Sequence, residues 1–201
     1  MNAPVFTVKP PLSPVAHNIG PARVTLYVGD QMAAADPELL VDHGITAVLN
    51  CAYDLDINYV GGAGAMHAGT SAVPFGMAPF RVAKVGLIDG PGNPPALLAA
   101  ACHALDGLLH QESPTSGRAT PFVQGNVLVH CRAGLSRSVT VAALYLHLKH
   151  RDRWPVYEDA LDQVRLRRGF ASTEYSLAPT PGMRALATAL LQSGQPLFAA
   201  A

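Results

Sequence analysis

Short apolar runs alternate with helical patterns along most of the chain. Apolar residues that run together or recur at every second position predict strands at residues 24–28, 45–50, 80–88 and 127–130. Apolar residues spaced three or four apart predict helices at residues 33–43, 94–110, 138–150, 154–168 and 181–191. This alternation predicts an α/β fold with a mostly parallel central sheet of about four to five strands and helices on both faces.

The segments between these elements set the expected domain boundaries. Residues 1–21 are rich in proline, which predicts an N-terminal extension that runs over the surface or stays mobile. Residues 22–195 are expected to form a single domain. Residues 53–79 and 111–126 are rich in glycine, proline and polar residues and predict long irregular loops. Asn93 or Gly92 is expected to cap the helix that opens at Pro94.

Composition narrows the class of protein. With 49% hydrophobic and 14% charged residues and a formal net charge of zero, we expect a compact protein that binds neither nucleic acid nor a membrane surface. We find no signal peptide, no apolar run of transmembrane length, no cluster of metal ligands and no sign of a cofactor, and the oligomeric state is left open. Three cysteines, Cys51, Cys102 and Cys131, make no disulfide framework, which favours a reduced, cytoplasmic location.

The stretch after the last predicted strand carries the candidate chemistry. Cys131 follows the strand, Arg137 comes six positions later, and Gly134 lies between them just before a predicted helix. A loop of this length can point its backbone N–H groups at one centre, where the helix N-terminus also favours an anion. The guanidinium of Arg137 matches two oxygens of a phosphate. The sequence therefore predicts a phosphate-binding loop.

The same surroundings activate the cysteine. Helix N-termini and nearby cations lower the pKa of a thiol, so the field that binds the phosphate also favours the Cys131 thiolate. The hydroxyl of Ser138 can donate a hydrogen bond to the sulfur. The alternative is that Cys131 is a small buried hydrophobic residue at a strand end, as most unpaired cysteines are.

Residues 130–138, HCRAGLSRS, resemble the HCxxGxxRS motif of the cysteine-dependent protein tyrosine phosphatases, most closely their dual-specificity branch. Residues 26–52 and 154–169 also resemble this family, and the likeness covers roughly residues 22–170. It implies a phosphatase-like fold and hydrolysis of phosphotyrosine, phosphoserine and phosphothreonine on protein substrates through a phosphocysteine. The resemblance implies that the phosphate is bound by Arg132, Ala133, Gly134, Leu135, Ser136 and Arg137.

The resemblance also assigns roles outside the loop. Asp89, which follows the predicted strand at residues 80–88, is expected to be the general acid, although an aspartate there could instead cap a turn. Asp54 and Asp56 are its competitors. His130 is expected to order the loop by hydrogen bonding. Some relatives form a reversible disulfide with a cysteine near the position of Cys51, whose alternative role is that of a buried strand residue.

One feature departs from the family, and a basic cluster precedes it. Gly169-Phe170-Ala171-Ser172 replaces the Pro-Asn pair that usually follows the last helix of the motif region. The arginines Arg165, Arg167 and Arg168 form a basic cluster that we interpret as a solvated helix end.

Three other functions stay open at this point. Rhodanese-like sulfur transfer also uses a cysteine loop at a strand end, although it needs no mobile acid. A non-catalytic phosphate-binding module is disfavoured because Cys131 and Arg137 are both present. A phosphatase acting on a non-protein phosphomonoester is the third, and the apolar Leu135 argues against a highly charged polyphosphate.

Overall fold

The computed structural model of the chain describes residues 9–60, 77–117, 120–170, 177–194 and 196–198. The strands among these residues are β1 (Leu12–Ile19), β2 (Val24–Gly29), β3 (Ile45–Ala52), β4 (Arg81–Leu87) and β5 (Asn126–His130). The helices are α1 (Gln31–Ala34), α2 (Pro37–Asp42), α3 (Pro95–His110), α4 (Arg137–Lys149), α5 (Tyr157–Arg167) and α6 (Pro181–Gln192).

The five strands form one sheet in the order β1-β2-β5-β3-β4. β1 pairs with β2 in antiparallel orientation, and the other three pairs are parallel. The predicted α/β fold with a mostly parallel sheet is therefore confirmed. β5 is the central strand, and its apolar run is continuous because both faces of a parallel sheet are covered.

The core is divided by the sheet into two layers. On one face, Val127 and Val129 pack in a large cluster with residues of α3, α4, α5 and α6. On the other face, Leu128 packs in a smaller cluster with Ala33 of α1 and Leu40 of α2. This alternation along β5 is the two-residue period of a strand with helices on both sides.

The first strand corrects the prediction for the N-terminus. Leu12–Ile19 pairs with β2 at the edge of the sheet, so the expectation that residues 1–21 run over the surface or stay mobile is wrong for this part. Pro14 lies within β1, and an edge strand tolerates proline because one side of its backbone has no ladder to complete. Residues 1–8 lie outside the described residues.

Other boundaries differ from the predictions in detail. The helix expected at residues 33–43 is two short helices, α1 and α2, each with an aspartate at its N-cap, Asp30 and Asp36. Pro94 occupies the N-cap of α3 without a side-chain hydrogen bond, so capping by Asn93 or Gly92 is wrong. Parts of the two predicted loops, residues 61–76 and 118–119, lie outside the described residues. No helix in the described ranges is long and apolar enough to cross a membrane.

The topology gathers four residues at one edge of the sheet. β2, β3, β4 and β5 are parallel, so their carboxyl ends meet at the same edge, where ligands bind in open α/β sheets. Asp30, Asp54, Asp89 and Cys131 each follow their strand within two residues.

Candidate active site

Cys131 lies at the carboxyl end of the central strand, directly before the loop that leads into α4. Its side chain is buried, and its Sγ lies 3.3 Å from the Oγ of Ser138 in the first turn of α4. The hydroxyl can donate to a thiolate at this distance because hydrogen bonds to sulfur are longer than those to oxygen. The structure thus brings Cys131 and Ser138 together as the sequence predicts.

The loop between Cys131 and Arg137 is bound from its outer side through three successive carbonyl groups. The backbone N–H of Gln31 donates to the carbonyl of Arg132 at 3.0 Å. Lys9 Nζ donates to the carbonyl of Ala133 at 2.8 Å, and Arg168 Nε donates to the carbonyl of Gly134 at 3.2 Å.

These outer contacts determine where the amide groups of the loop point. In a trans peptide the N–H lies opposite the carbonyl of the preceding residue. The N–H groups of Ala133, Gly134 and Leu135 therefore face inward, away from the groups that bind the three carbonyls. Successive inward amides at a helix N-terminus form a site for a tetrahedral anion.

Gly134 makes this curl sterically feasible. Its φ is +64°, and a Cβ at this position would lie 2.6 Å from the carbonyl oxygen of Gly29 and 2.7 Å from Nη2 of Arg168. Only glycine accommodates both the left-handed backbone and this close approach.

Arg137 is the first residue of α4, and its side chain is buried. Its Nη1 donates to Oδ1 of Asp54 at 2.8 Å and to the carbonyl of Leu87 at 3.2 Å. Its Nε is buried, has no hydrogen-bond partner among the described residues, and lies 3.9 Å from Oδ2 of Asp89. One edge of the guanidinium is thus bound, while its Nε is available to an anion.

Asp89 lies on the loop after β4, which we call the acid loop (residues 88–93). Asn93 closes this loop, since its Oδ1 accepts from the N–H of Ile88 at 2.8 Å and its Nδ2 donates to the carbonyl of Ile88 at 2.8 Å. The Oγ1 of Thr180 donates to Oδ1 of Asp89 at 3.4 Å. The carboxylate therefore faces the same pocket as Arg137.

Asp54 and Asp56, the two competitors of Asp89, have different surroundings. A hydrogen bond from Arg137 lowers the pKa of the Asp54 carboxyl, so this group is ionised at neutral pH and is a poor proton donor. Asp56 pairs with Lys84 and is 85% exposed. Asp89 is therefore the better candidate for the acid.

Two supporting residues were not expected from the sequence. Arg168 is fully buried, donates to the loop at Gly134, and is bound by the carbonyl of Pro10 and the hydroxyl of Ser13. The interpretation of Arg168 as part of a solvated helix end is wrong. No pattern in the sequence distinguishes it from Arg167, which is exposed.

Thr180 is the second unexpected residue. Its backbone N–H donates to Oγ of Ser136 at 3.1 Å, and the hydroxyl groups of the two residues lie 3.2 Å apart. Thr180 directly precedes α6 and contacts the loop, although the Pro-Asn pair expected after α5 is absent. Thr180 lies far beyond the end of α5 in the sequence, so the motif does not predict this contact.

His130 precedes the cysteine and is 1% exposed. Burial lowers the pKa of its imidazole to about 4, although a hydrogen bond to the backbone of Cys131 and the charge of Asp30 act in the opposite direction. The ring is therefore neutral at pH 7, and its role in ordering the loop stays a prediction.

Cys51 lies on β3, beside β5, and is fully buried as a free thiol. Burial raises the pKa of its thiol well above the usual value, and the charge of Cys131 adds to this shift. Cys102 lies on α3 in the large core cluster. Among the described residues, no group of three or more His, Cys, Asp or Glu side chains could hold a metal ion.

Comparison with known proteins agrees with this geometry. No family model matches the chain. Human dual specificity protein phosphatase 4 is 28% identical over 166 residues, which are 82% of this chain and 34% of that protein. Mouse dual specificity protein phosphatase 2 is 48% identical over 52 residues, 26% of this chain and 15% of that protein. These relatives support the resemblance of the chain to the dual-specificity branch of the cysteine-dependent protein tyrosine phosphatases.

Solved structures of dual-specificity phosphatases share the fold. Human DUSP28 superposes with a TM-score of 0.58 at 24% identity and covers 92% of this chain and 96% of its own. The Yvh1 phosphatase domain of Chaetomium thermophilum superposes with a TM-score of 0.62 at 23% identity, covering 87% of this chain and 94% of its own. The chain spans about a third of the length of the curated phosphatase 4 proteins that it matches.

Proposed function

We propose that the chain is a cysteine-dependent phosphatase that hydrolyses phosphomonoesters on proteins, at tyrosine and at serine or threonine, through a phosphocysteine intermediate. The observation that carries the proposal is the buried Cys131 beside Ser138, in a loop that also contains Arg137 with its free Nε. The names of the relatives, dual specificity protein phosphatases, support the same function.

In the first step the Cys131 thiolate attacks phosphorus in line with the leaving oxygen. A bond forms between sulfur and phosphorus while the bond from phosphorus to the leaving oxygen breaks. The loop amides from residues 132 to 137 and the Nε of Arg137 stabilise the equatorial oxygens, and the amides of Ala133, Gly134 and Leu135 already face inward.

Asp89 protonates the leaving oxygen in this step. A positioned acid contributes about 10²–10⁴-fold to the rate, most for leaving groups that are strong bases. The location of Asp89 near Arg137 supports this role, and the ionised state of Asp54 argues against Asp54 as the acid.

In the second step water hydrolyses the phosphocysteine. Asp89, now ionised, accepts a proton from the attacking water, and phosphate leaves from sulfur. The hydroxyl of Ser138 stabilises the departing thiolate through the contact at 3.3 Å.

Two alternatives are distinguished by their products or by their substrates. Sulfur transfer would form thiocyanate from thiosulfate and cyanide, whereas the phosphatase releases inorganic phosphate. A carboxylate on a neighbouring loop, Asp89, favours the phosphatase because sulfur transfer has no leaving oxygen to protonate. Hydrolysis of a non-protein phosphomonoester uses the same chemistry, and a panel of phosphopeptides and small phosphate esters distinguishes it.

The nucleophile is tested by Cys131→Ser, with Cys102→Ser as a matched control on α3. We expect Cys131→Ser to abolish phosphate release from a generic aryl phosphate and Cys102→Ser to retain it. The inactive variant also serves to capture phosphorylated substrates from a native lysate. Equal rates for the parent and Cys131→Ser would overturn the cysteine mechanism.

The acid is tested by Asp89→Asn with leaving groups of graded basicity. The variant should slow esters of basic alcohols about 100-fold or more and leave activated aryl esters much less affected. The control is Asp56→Asn, on an exposed carboxylate that pairs with Lys84. An equal loss for all leaving groups in Asp89→Asn would contradict its role as acid.

We also propose that Cys51 protects Cys131 by a reversible disulfide, and that the protein acts in the cytoplasm. Peroxide would oxidise Cys131 to a sulfenic acid, and the Cys51 thiol would displace water to form the disulfide. The pairing is supported by the neighbouring positions of β3, which carries Cys51, and β5, which precedes Cys131. The cytoplasmic location is supported by the three free cysteines. Mass spectrometry after mild peroxide treatment should detect the Cys51–Cys131 peptide, and its absence refutes the pairing.

A further inference from the structure

Asp54 is a second carboxylate at the phosphate site, and the proposed reaction does not use it. Its Oδ1 accepts a hydrogen bond from Nη1 of Arg137 at 2.8 Å, and its Oδ2 lies 3.6 Å from Nη1 of Arg132. Both cationic side chains of the phosphate loop are thus paired with one carboxylate.

The position of Asp54 is held by contacts of its own segment. The buried side chain of Asn50 donates to the carbonyl of Leu55 at 2.7 Å and accepts from the N–H of Ala52 at 2.8 Å, which closes the turn around Asp54. The backbone of Tyr53 packs against Gly86 of β4, where a Cβ would lie only 2.8 Å from it. Asp54 is therefore presented to the pocket from a rigid turn.

An incoming phosphate does not need to displace this carboxylate. Asp54 binds the Nη1 edge of Arg137, whereas the buried Nε of the same guanidinium has no partner among the described residues. The low pKa of the Asp54 carboxyl keeps it charged at neutral pH. Asp54 therefore stays as a fixed negative charge beside the bound phosphate.

Asp54 reduces the positive charge at the rim of the pocket more than at its base. Arg132 is 58% exposed, so its guanidinium is the cation of the loop that can reach a group next to the phosphate. Its charge is already offset by Asp54. A second anionic group on the substrate would thus meet a rim with little net positive charge, and Asp54 would repel it.

We propose that Asp54 is a specificity-determining residue that selects isolated phosphate groups, with neutral or basic neighbours, over phosphate groups that have a second anion beside them. The proposal rests on the phosphatase function proposed above and names the substrate class of that site: singly phosphorylated protein segments that lack flanking acidic residues. Vicinal polyphosphates are excluded by the same charge.

The test compares two phosphotyrosine peptides that differ only in their flanking residues, two glutamates in one and two glutamines in the other. For the parent protein we expect kcat/KM to be about tenfold higher for the glutamine peptide, the size of effect that one nearby charge produces. In Asp54→Asn this ratio should fall to about 2 or less, mainly because the glutamate peptide improves.

Asp56→Asn is the matched control, since it removes the same charge two residues away, where the carboxylate pairs with Lys84. It should keep the parent's ratio. High salt should reduce the ratio in the parent, since the flanking charges lie at an exposed rim.

Two results would overturn the proposal. One is an unchanged ratio in Asp54→Asn, and a loss of kcat/KM by the same factor for both peptides would then make Asp54 a positioning residue for Arg137. The other is an equal fall of the ratio in Asp56→Asn. Dissociation constants of the two peptides on the Cys131→Ser background report the preference without turnover. Failure of the phosphatase function, seen as no turnover of any peptide by the parent, is thus distinguishable from failure of the selectivity.

Discussion

The phosphate loop (residues 131–137) and the acid loop lie at the same edge of the sheet, but they are supported in different ways. In the phosphate loop Cys131, Ser136 and Arg137 are each at most 3% exposed, and three carbonyls are bound from behind. In the acid loop the side chain of Asp89 is 37% exposed, and its Oδ1 accepts only a long hydrogen bond from Thr180.

This difference matches the work that each loop would do. Stabilising the transferring phosphoryl group requires donors that do not reorganise, and the phosphate loop, held from behind at three carbonyls, provides them. A residue that gives up a proton in one step and accepts one in the next must reach two different atoms, which an exposed loop permits. Substitutions in the phosphate loop should therefore lower the activity toward all substrates and the free energy of unfolding. Substitutions near the acid loop should lower the activity by an amount that depends on the leaving group.

Gly134→Ala should have the largest effect. The new Cβ would meet the carbonyl oxygen of Gly29 at 2.6 Å, so the loop or strand β2 must shift and the inward amides lose their alignment. We expect kcat/KM to fall about 100-fold or more for every substrate, as when an oxyanion donor is lost. Steady-state kinetics on good and poor leaving groups measures this.

Gly194→Ala is the control for Gly134→Ala. Gly194 has the same φ of +64°, but nothing lies within 4 Å of its Cβ position. It should cost only about 1–2 kcal/mol of unfolding free energy, from the left-handed backbone, and leave activity unchanged. If both variants behave alike, the crowding around Gly134 has no role.

Gly182→Ala tests the acid loop from the other side. Gly182 lies in the first turn of α6, and a Cβ there would lie 2.6 Å from the backbone carbon of Gly90. The loop that carries Asp89 must move away, so kcat should fall about tenfold for poor leaving groups, a part of what a positioned acid contributes, and little for good ones.

Gly107→Ala on α3 is the matched helical control. Nothing lies within 4 Å of its Cβ position, so the change should stabilise the helix by about 1 kcal/mol at most and leave kcat unchanged. A uniform loss of activity in Gly182→Ala across leaving groups would mean that the contributions of the phosphate loop and the acid loop to catalysis cannot be separated.

The smallest effect concerns His130 and pH. Its pKa of about 4 lies below the ordinary value of 6.5, so the unfolded chain binds more protons between these values and stability falls as the pH falls from about 6.5 to about 4. Between pH 7 and 5.5 the parent should lose about 1 kcal/mol of unfolding free energy through this residue.

Chemical denaturation of the parent and of His130→Asn at both pH values measures the difference. The variant should lack this loss, and the exposed His103→Gln should keep it. An equal loss in the parent and in His130→Asn would show that His130 is not buried in its neutral form.

Most of the fold could be predicted because apolar periodicity reports burial directly. The strand at residues 80–88 and the helix at residues 94–110 correspond to β4 and α3. β1 was missed because Pro14 argues against a strand unless the strand lies at an edge, and edge position is a property of the whole sheet. The buried state of Arg168 was missed because charged residues are rarely buried without partners, and its partners are far away in sequence.

The sequence by itself determined the local part of the site. Cys131, Gly134, Arg137 and Ser138 lie within eight residues, so a strand, a turn and a helix formed by these consecutive residues place them close together. The spacing, the need for a residue without a Cβ, and the helix N-terminus are properties of consecutive residues.

Only the tertiary structure decided which groups act on this loop from outside. Asp54 reaches Arg137 across 83 positions of sequence, and Lys9 reaches Ala133 across 124. The parallel order of the strands places Asp54 and Asp89 at one edge, where Asp54 accepts a hydrogen bond from Arg137 and Asp89 lies 3.9 Å from the Nε of the same residue. Charge acts through space rather than along the chain, so roles that depend on it are determined only when the sheet has formed.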